Sequence, residues 1–319
     1  MFNKFLRFIN KHKKIILAII IALVVVAFVK NYLSEKKVTG STIIQLKNSH
    51  REIEENIEKY QPKYDWVKTH PSNITLTAKS AIVIDQNTGQ ILLTKNEHEK
   101  LPPASITKIL TLVTVLEGLK IDKLCPVSEK AAVTQPNKIT MKAGEKMKVE
   151  DLLYGLMMIS ANDAAEVLAE CYDGGRDKFI AKMNEKVKLL GLEDSSFKDP
   201  HGLNDVDELS SAFDMGTITR YALLEHPETL KYIGRKEDYN VYPTDHNGSH
   251  SWYQISNLLL TYPGMEGAKT GYTHIAKNSY IGVARKNDRR VIIVYLGAET
   301  TTSDATALLN YGFSVNPNI

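Results

Sequence analysis

Apolar residues cluster in two pairs of short segments, one pair towards each end of the chain. Residues 81–84 and 90–93 flank an Asn-Thr-Gly sequence, which predicts a β-hairpin. Residues 279–285 and 290–296 flank a polar Asn-Asp turn and predict a second hairpin. Both ends of the chain therefore contribute strands.

The middle of the chain has helical spacing instead. Residues 149–158 and 163–171 predict two helices, and residues 305–311 predict a last one. Glu150 and Asp151 suit the first turn of a helix, where negative charge is stabilised. Strands around a helical middle indicate one α/β (α+β) domain, whose antiparallel sheet is assembled from distant parts of the chain.

The amino-terminal region reads as a membrane anchor. Residues 15–29 are an unbroken apolar run after a basic leader, and Lys30 can extend it by reaching to the interface. We expect an uncleaved single-pass span in the cell membrane, with the amino terminus cytoplasmic and the body outside, although a cleaved signal peptide is the alternative. The predicted organisation is a leader at 1–14, a transmembrane signal anchor at 15–33, a stalk at 34–72 and a globular domain at 73–319.

A helix is predicted within the stalk, over residues 42–60 and ending before Pro62. Its apolar positions recur at three and four residues, which fits self-association, packing on the domain or a solvated spacer.

The charge and the cysteine content argue against a nucleic-acid-binding protein and against a cysteine metal site. The net charge is +3, but five basic residues lie in the first fourteen, and the remainder holds 35 basic against 37 acidic residues. The body is therefore not basic, and we expect no nucleic-acid partner. Cys125 and Cys171 form no metal motif, and we expect buried free thiols, with one disulfide as the alternative.

The first candidate chemical motif is Ser105-x-x-Lys108. Two prolines precede it and an apolar helix follows, so Ser105 lies at a helix amino terminus with Lys108 one turn on. A serine hydroxyl needs a base to become a nucleophile, and a neutral lysine can be that base. The spacing is weak evidence alone, since it recurs at 34–37 and 195–198.

Two further motifs follow. Ser160-Ala161-Asn162, between the two predicted helices, can present a hydroxyl and an amide to a cleft, or can simply cap a helix. Lys269-Thr270-Gly271 can bind a carboxylate at a strand edge and let a substrate backbone approach, or can be a turn.

Together the motifs S-x-x-K, S-x-N and K-T-G, in this order, are the set found in penicillin-binding proteins and class A β-lactamases. The chain resembles the low-molecular-weight D-alanyl-D-alanine carboxypeptidases over residues 81–313. The resemblance includes AIVIDQNTGQILLTKN, LPPASITKI, VEDLLYGLMMISANDAA, FKDPHGL, LLLTYPGMEGAKTGYT and LLNYGF. It implies the penicillin-binding transpeptidase fold.

The resemblance also implies roles. Ser105 attacks the substrate carbonyl, Lys108 accepts its proton, and Ser160 passes a proton to the leaving amine. Asn162, Lys269, Thr270 and Gly271 bind substrate, and the backbone N–H groups of Ser105 and Tyr272 form the oxyanion hole. His201 is expected to be structural. The implied partners are stem peptides ending in D-Ala-D-Ala and β-lactam antibiotics, and no metal or organic cofactor is implied.

The chain departs from the family pattern in three places. Ala161 replaces a usual glycine, and the usual β-rich domain after the catalytic domain has no counterpart before Ile319. The family arginine near residues 300–304, which assists the substrate carboxylate, is missing, so we expect weak selection for a terminal carboxylate. If another cation has taken this role, Arg285, Arg289 and Arg290 are the first candidates.

Three other functions remain to be weighed. A β-lactamase is disfavoured, since no E-x-x-L-N-like segment follows Ser160. A D,D-endopeptidase of peptidoglycan cross-links and a non-catalytic penicillin-binding wall sensor stay as alternatives.

Overall fold

The computed structural model describes residues 40–69, 74–204 and 206–315. The chain forms two units, Met1–Glu54 and Glu55–Ile319. The leader and the expected anchor lie outside the described residues. Within the described residues, every helix is too short or too polar to cross a bilayer.

The helices are α1 Gly40–Tyr60, α2 Asp65–Thr69, α3 Lys108–Gly118, α4 Glu129–Ala132, α5 Val149–Met158, α6 Asn162–Cys171, α7 Gly175–Leu189, α8 Ala212–Glu225, α9 Thr229–Ile233, α10 Asn257–Thr261 and α11 Thr302–Ser314. The strands are β1 Ser80–Asp85, β2 Ile91–Lys95, β3 Leu124–Pro126, β4 Lys146–Lys148, β5 Tyr239–Val241, β6 His250–Trp252, β7 Met265–Thr273, β8 Lys277–Lys286 and β9 Arg289–Ala298.

A five-stranded antiparallel sheet organises the larger unit, in the order β2-β1-β9-β8-β7. The first hairpin pairs with the last strand, so the sheet joins both ends of the domain, as expected from the sequence. Both predicted hairpins and the helices at 149–158, 163–171 and 305–311 are confirmed, with shifts of a few residues at their ends. The α/β fold class is confirmed.

Both faces of the sheet are buried, which explains its continuous apolar strands. Successive strand residues point to opposite faces. Ile82 and Val294 therefore join the core beneath the helical middle, whereas Val83 and Ile293 pack with Leu308 of α11.

The end of α1, from Glu55 onwards, lies within the larger unit. Arg220 of α8 donates hydrogen bonds to the carbonyl oxygens of Lys59 (2.7 Å) and Tyr60 (3.0 Å). Gln61 donates to the carbonyls of Leu190 and Gly191. The chain from Glu55 onwards is thus part of the compact body, including residues that the sequence analysis placed in the stalk.

The expectation of free thiols is wrong. Cys125 of β3 and Cys171, the last residue of α6, form a disulfide with their Cα atoms 5.5 Å apart. Strand β3 lies against α6, which brings together two cysteines that are 46 residues apart in the sequence. Sequence spacing alone contains no information on that separation.

Candidate active site

Ser105 and Lys108 lie where the chain enters α3. Residues Ala104–Thr107 form a 3₁₀ turn that continues into α3 at Lys108. The spacing of three places both side chains on one face, and Lys108 Nζ lies 2.8 Å from Ser105 Oγ. Ser105 is 8% exposed and Lys108 is fully buried, so the pair lies at the floor of a cleft rather than on an open surface.

Lys108 Nζ contacts two more oxygens. It donates hydrogen bonds to Asn162 Oδ1 (2.7 Å) and to the carbonyl oxygen of His201 (2.7 Å). Both of these oxygens can only accept hydrogen bonds. A neutral amine has two N–H groups and one lone pair, so these acceptors use both N–H groups and leave the lone pair directed at the Ser105 hydroxyl. This is the geometry that a proton acceptor for Ser105 requires.

The orientation of the Asn162 amide is fixed from its other end. Its Nδ2 group donates to the carbonyl of Pro136, and its backbone N–H donates to the carbonyl of Asn137 (2.8 Å). A flipped amide would place Oδ1 against the Pro136 carbonyl oxygen and Nδ2 against Lys108 Nζ, so both hydrogen bonds would be lost. The loop before Ile139 therefore holds Asn162 Oδ1 towards Lys108.

Ser160 and Lys269 form the second pair. Ser160 lies between α5 and α6 with φ +60°, a left-handed conformation that turns its side chain into the cleft. Lys269 of β7 donates to Ser160 Oγ (2.9 Å) and to the Thr270 carbonyl (2.8 Å). Because β7 is an edge strand, one side of its backbone is open to pairing with an extended peptide.

Burial controls the charge of both lysines. It lowers the pKa of Lys108 far below the usual lysine value, and the positive charge of Lys269 lowers it further, against the opposing effect of Asp199 and Glu208. Burial lowers the pKa of Lys269 to about 7. Burial and the neighbouring charge thus favour the neutral form of Lys108, which is the form that can accept a proton.

Two glycines allow the close packing around Ser105. A Cβ atom on Gly202, which has φ +84°, would lie 1.9 Å from the Ala104 carbonyl oxygen. A Cβ atom on Gly271 would lie 3.1 Å from the Ser105 nitrogen. The Ser105 amide is therefore against the β7 backbone, one residue before Tyr272, where the sequence analysis expects the oxyanion hole.

The contact of His201 with Lys108 was not predicted from the sequence. Its carbonyl contacts Lys108, while its ring lies 3.0 Å from Glu166 Oε1 and 2.8 Å from Asp199 Oδ1. Arg176 donates two hydrogen bonds to Glu166, at 2.7 and 3.0 Å. Burial alone would lower the pKa of His201, but the two carboxylates raise it. In the sequence, the segment Pro200-His201-Gly202 was the sole indication of this charged cluster near Lys108.

The three candidate substitutes for the missing arginine make their contacts away from the site. Arg289 and Arg290 form ion pairs with Asp85 and Glu266, and Arg285 donates to the Asn287 carbonyl. All three lie at the β8–β9 turn, whereas Thr270 pairs with Tyr280 further along β8. None of these three arginines is therefore placed to take the role of the missing arginine.

The fold and this arrangement define a serine enzyme of the penicillin-binding class, with an S-x-x-K nucleophile, an S-x-N loop and a K-T-G edge strand. A family model described as D-alanyl-D-alanine carboxypeptidase (peptidase family S11) matches residues 67–300, and the chain belongs to that family.

Relatives and solved structures agree with this assignment. D-alanyl-D-alanine carboxypeptidase DacF of Bacillus subtilis is 38% identical over 252 residues, covering 76% of this chain and 64% of the relative. DacB2 of Mycobacterium tuberculosis is 32% identical over 248 residues, covering 75% and 84%. The chain thus spans less than two thirds of the Bacillus protein.

Two crystal structures illustrate the similarity in fold. A D-alanyl-D-alanine carboxypeptidase from Mycobacterium tuberculosis superposes with a TM-score of 0.72 at 29% identity, covering 81% of this chain and 97% of that one. A Streptomyces DD-transpeptidase also superposes with a TM-score of 0.72, at 28% identity, covering 76% and 100%.

Proposed function

We propose that this protein is a serine-type D-alanyl-D-alanine carboxypeptidase, which removes the terminal D-alanine from peptidoglycan stem peptides. The observation that carries the proposal is the environment of Lys108 Nζ, where two acceptor-only oxygens leave the lone pair for Ser105. Membership of the carboxypeptidase family supports the choice of substrate.

In the first step, Lys108 accepts the Ser105 proton while Ser105 Oγ bonds to the carbonyl carbon of the penultimate D-alanine. The carbonyl oxygen gains negative charge, which the backbone N–H groups of Ser105 and Tyr272 stabilise. Gly271 permits the close approach of strand and nucleophile that this hole requires.

In the second step, the bond to the terminal D-alanine breaks and its nitrogen takes a proton from Ser160. Ser160 regains a proton from the protonated Lys108, so Lys108 is neutral again before water attacks. Lys269, at 2.9 Å, supplies positive charge to Ser160 and balances the substrate carboxylate together with Thr270. Water then attacks the acyl-enzyme, with Lys108 again as base, and releases the shortened peptide. A β-lactam acylates Ser105 by the same first step.

Asn162 takes a different main role from the one expected. Both ends of its amide are already engaged, with Lys108 and with Pro136. We therefore assign it to orienting Lys108, ahead of holding substrate.

A D,D-endopeptidase is the second candidate, and one observation favours it. The segment 300–304 has no cation, and Thr301 Oγ1 donates to Asn278 Oδ1 instead of facing free space. Weak recognition of a terminal carboxylate suits cleavage of cross-links, where the chain continues past the scissile bond. The intact catalytic set argues against a non-catalytic wall sensor.

We also propose that the catalytic body lies outside the cytoplasm and is attached to the membrane through residues 15–33. Disulfides persist in oxidising compartments, so the bond between Cys125 and Cys171 supports this location. Amino-terminal sequencing of the membrane-extracted protein tests the attachment, since a start near Phe28 would show cleavage.

One experiment tests the activity. The purified protein is incubated with a pentapeptide muropeptide and a cross-linked dimer, and free D-alanine, cut cross-links and the mass adduct of penicillin are measured together. We expect D-alanine release and one adduct, both lost in Ser105→Ala and both kept in Ser195→Ala, which alters the S-x-x-K at residues 195–198. Equal labelling of wild type and Ser105→Ala would reject the proposal.

A further inference from the structure

A pocket of about 300 Å³ opens beside the loop that contains Ser160, between α5 and α6, and has no part in the mechanism above. Its walls include Asn137, Lys138, Ile159, Trp252, Tyr253 and Ile255. We call it the Lys138 pocket.

The Lys138 pocket is joined directly to the catalytic residues. Ile159 immediately precedes Ser160, and the backbone N–H of Ile255 donates to the Met158 carbonyl (3.2 Å). Asn137 accepts the backbone N–H of Asn162, whose side chain contacts Lys108. A group bound in this pocket therefore lies against the loop that orients the general base.

The lining has a distinct chemical character. Of the lining residues that the structure describes, Lys138 alone carries a charge, and no described carboxylate pairs with it. Tyr253 (66% exposed) and Ile255 (40% exposed) present apolar surface at the rim, although large apolar side chains are usually covered. The walls therefore fit a ligand with an apolar stem and one negative charge.

We propose that the Lys138 pocket is a substrate subsite for a carboxylate of the stem peptide upstream of its D-alanines, and this rests on the proposed function. A stem peptide has two such sources: the α-carboxylate of its γ-linked D-glutamate, and the distal carboxylate of a diaminopimelate residue. Lys138 pairs with the carboxylate while Tyr253 and Ile255 cover the adjoining methylene groups. Binding energy from this remote group assists acylation through Asn162.

The test combines charge changes in the enzyme and in the substrate. Four pentapeptides carry γ-D-glutamate or its α-amide, each with lysine or meso-diaminopimelate at the third position, and kcat/KM for D-alanine release is measured with the full chain. In wild type we expect amidation, or exchange of diaminopimelate for lysine, to lower kcat/KM about tenfold. In Lys138→Met that difference falls below about twofold, and the position that responds identifies the carboxylate.

Control measurements distinguish an effect on the Lys138 pocket from a general effect on the enzyme. Lys142→Met removes an exposed lysine from the same loop and is expected to behave as wild type. Penicillin, which has no such carboxylate, is expected to acylate Lys138→Met at the wild-type rate. Equal responses of wild type and Lys138→Met to both substrate changes would overturn the subsite while leaving the carboxypeptidase intact. Absence of D-alanine release from every peptide would overturn both proposals.

Discussion

The Nζ atom of Lys108 lies 2.7 Å from the carbonyl oxygen of His201. A carbonyl cannot take up a proton, so this contact orients the amine without competing for the Ser105 proton. The same residue anchors its ring between Glu166 and Asp199. His201 therefore orients Lys108 through its backbone carbonyl and places its ring in the charged cluster beside Lys108.

Lys108→Arg is expected to lower penicillin acylation by at least about 100-fold, the usual scale of general-base catalysis. Arginine keeps the positive charge but stays protonated, so it offers no lone pair to Ser105. The measurement is the acylation rate, with thermal unfolding as a check on folding. Lys198→Arg, in the S-x-x-K at residues 195–198, is the matched control, and near-normal acylation in Lys108→Arg would contradict the assignment.

His201→Gln is expected to shift the acidic limb of the acylation pH profile to higher pH. The substitution removes a positive charge and leaves Glu166 and Asp199 less balanced, which raises the pKa of Lys108. Acylation should then recover at alkaline pH. A uniform loss at all pH values would show a merely structural role, and His226→Gln, on the Glu117 cluster, is the control.

The buried charge of Lys269 predicts a pH-dependent stability difference. Its pKa is about 7 in the folded protein and 10.5 when unperturbed, so between these values the unfolded chain binds more protons. The free energy of unfolding of wild type, relative to Lys269→Met, should therefore rise with pH from 7 to 10, by at most about 1.4 kcal/mol per pH unit. Urea unfolding at four pH values measures it, and parallel stabilities would count against a lowered pKa of Lys269 in the folded protein.

Removal of the disulfide is expected to destabilise the domain. Chain entropy for a loop closed over 46 residues sets the scale at about 4 kcal/mol, in a model-dependent way. Urea unfolding of the Cys125→Ser/Cys171→Ser double variant should match that of the reduced wild type. An unchanged midpoint in both would show that the bond contributes little.

Thr302→Arg is expected to restore recognition of the terminal carboxylate. Thr302 is exposed at the first position of α11, so the longer side chain fits without repacking. A charge-assisted hydrogen bond favours a D-Ala-D-Ala acid over its amide by about 10- to 100-fold in kcat/KM. Wild type should show a preference near tenfold or below, and Asn287→Arg, at the distant turn, should leave it unchanged. A wild-type preference above about 100-fold would show that another cation has this role.

Local patterns predicted much of the fold and part of the site. The contact between Ser105 and Lys108 follows from helical spacing, and the hairpins follow from strand and turn patterns. The contact between Ser160 and Lys269 was accessible only through the recognised set of motifs, because 109 residues separate them. The disulfide and the charged cluster at His201 depend on tertiary proximity, which spacing does not encode.

The non-local construction of the sheet has a consequence for the order in which the molecule acquires activity. Strand β1 pairs along its whole length with β9, so Ser80 can pair with Leu296 only after the chain has been synthesised beyond β9. Contacts of such long separation form late, because loop closure precedes any gain from pairing. A ribosome-bound chain shorter than about 300 residues is therefore expected to contain the S-x-x-K and S-x-N motifs but to lack acylating activity. We expect that activity to appear in one cooperative step, when β9 pairs with β1.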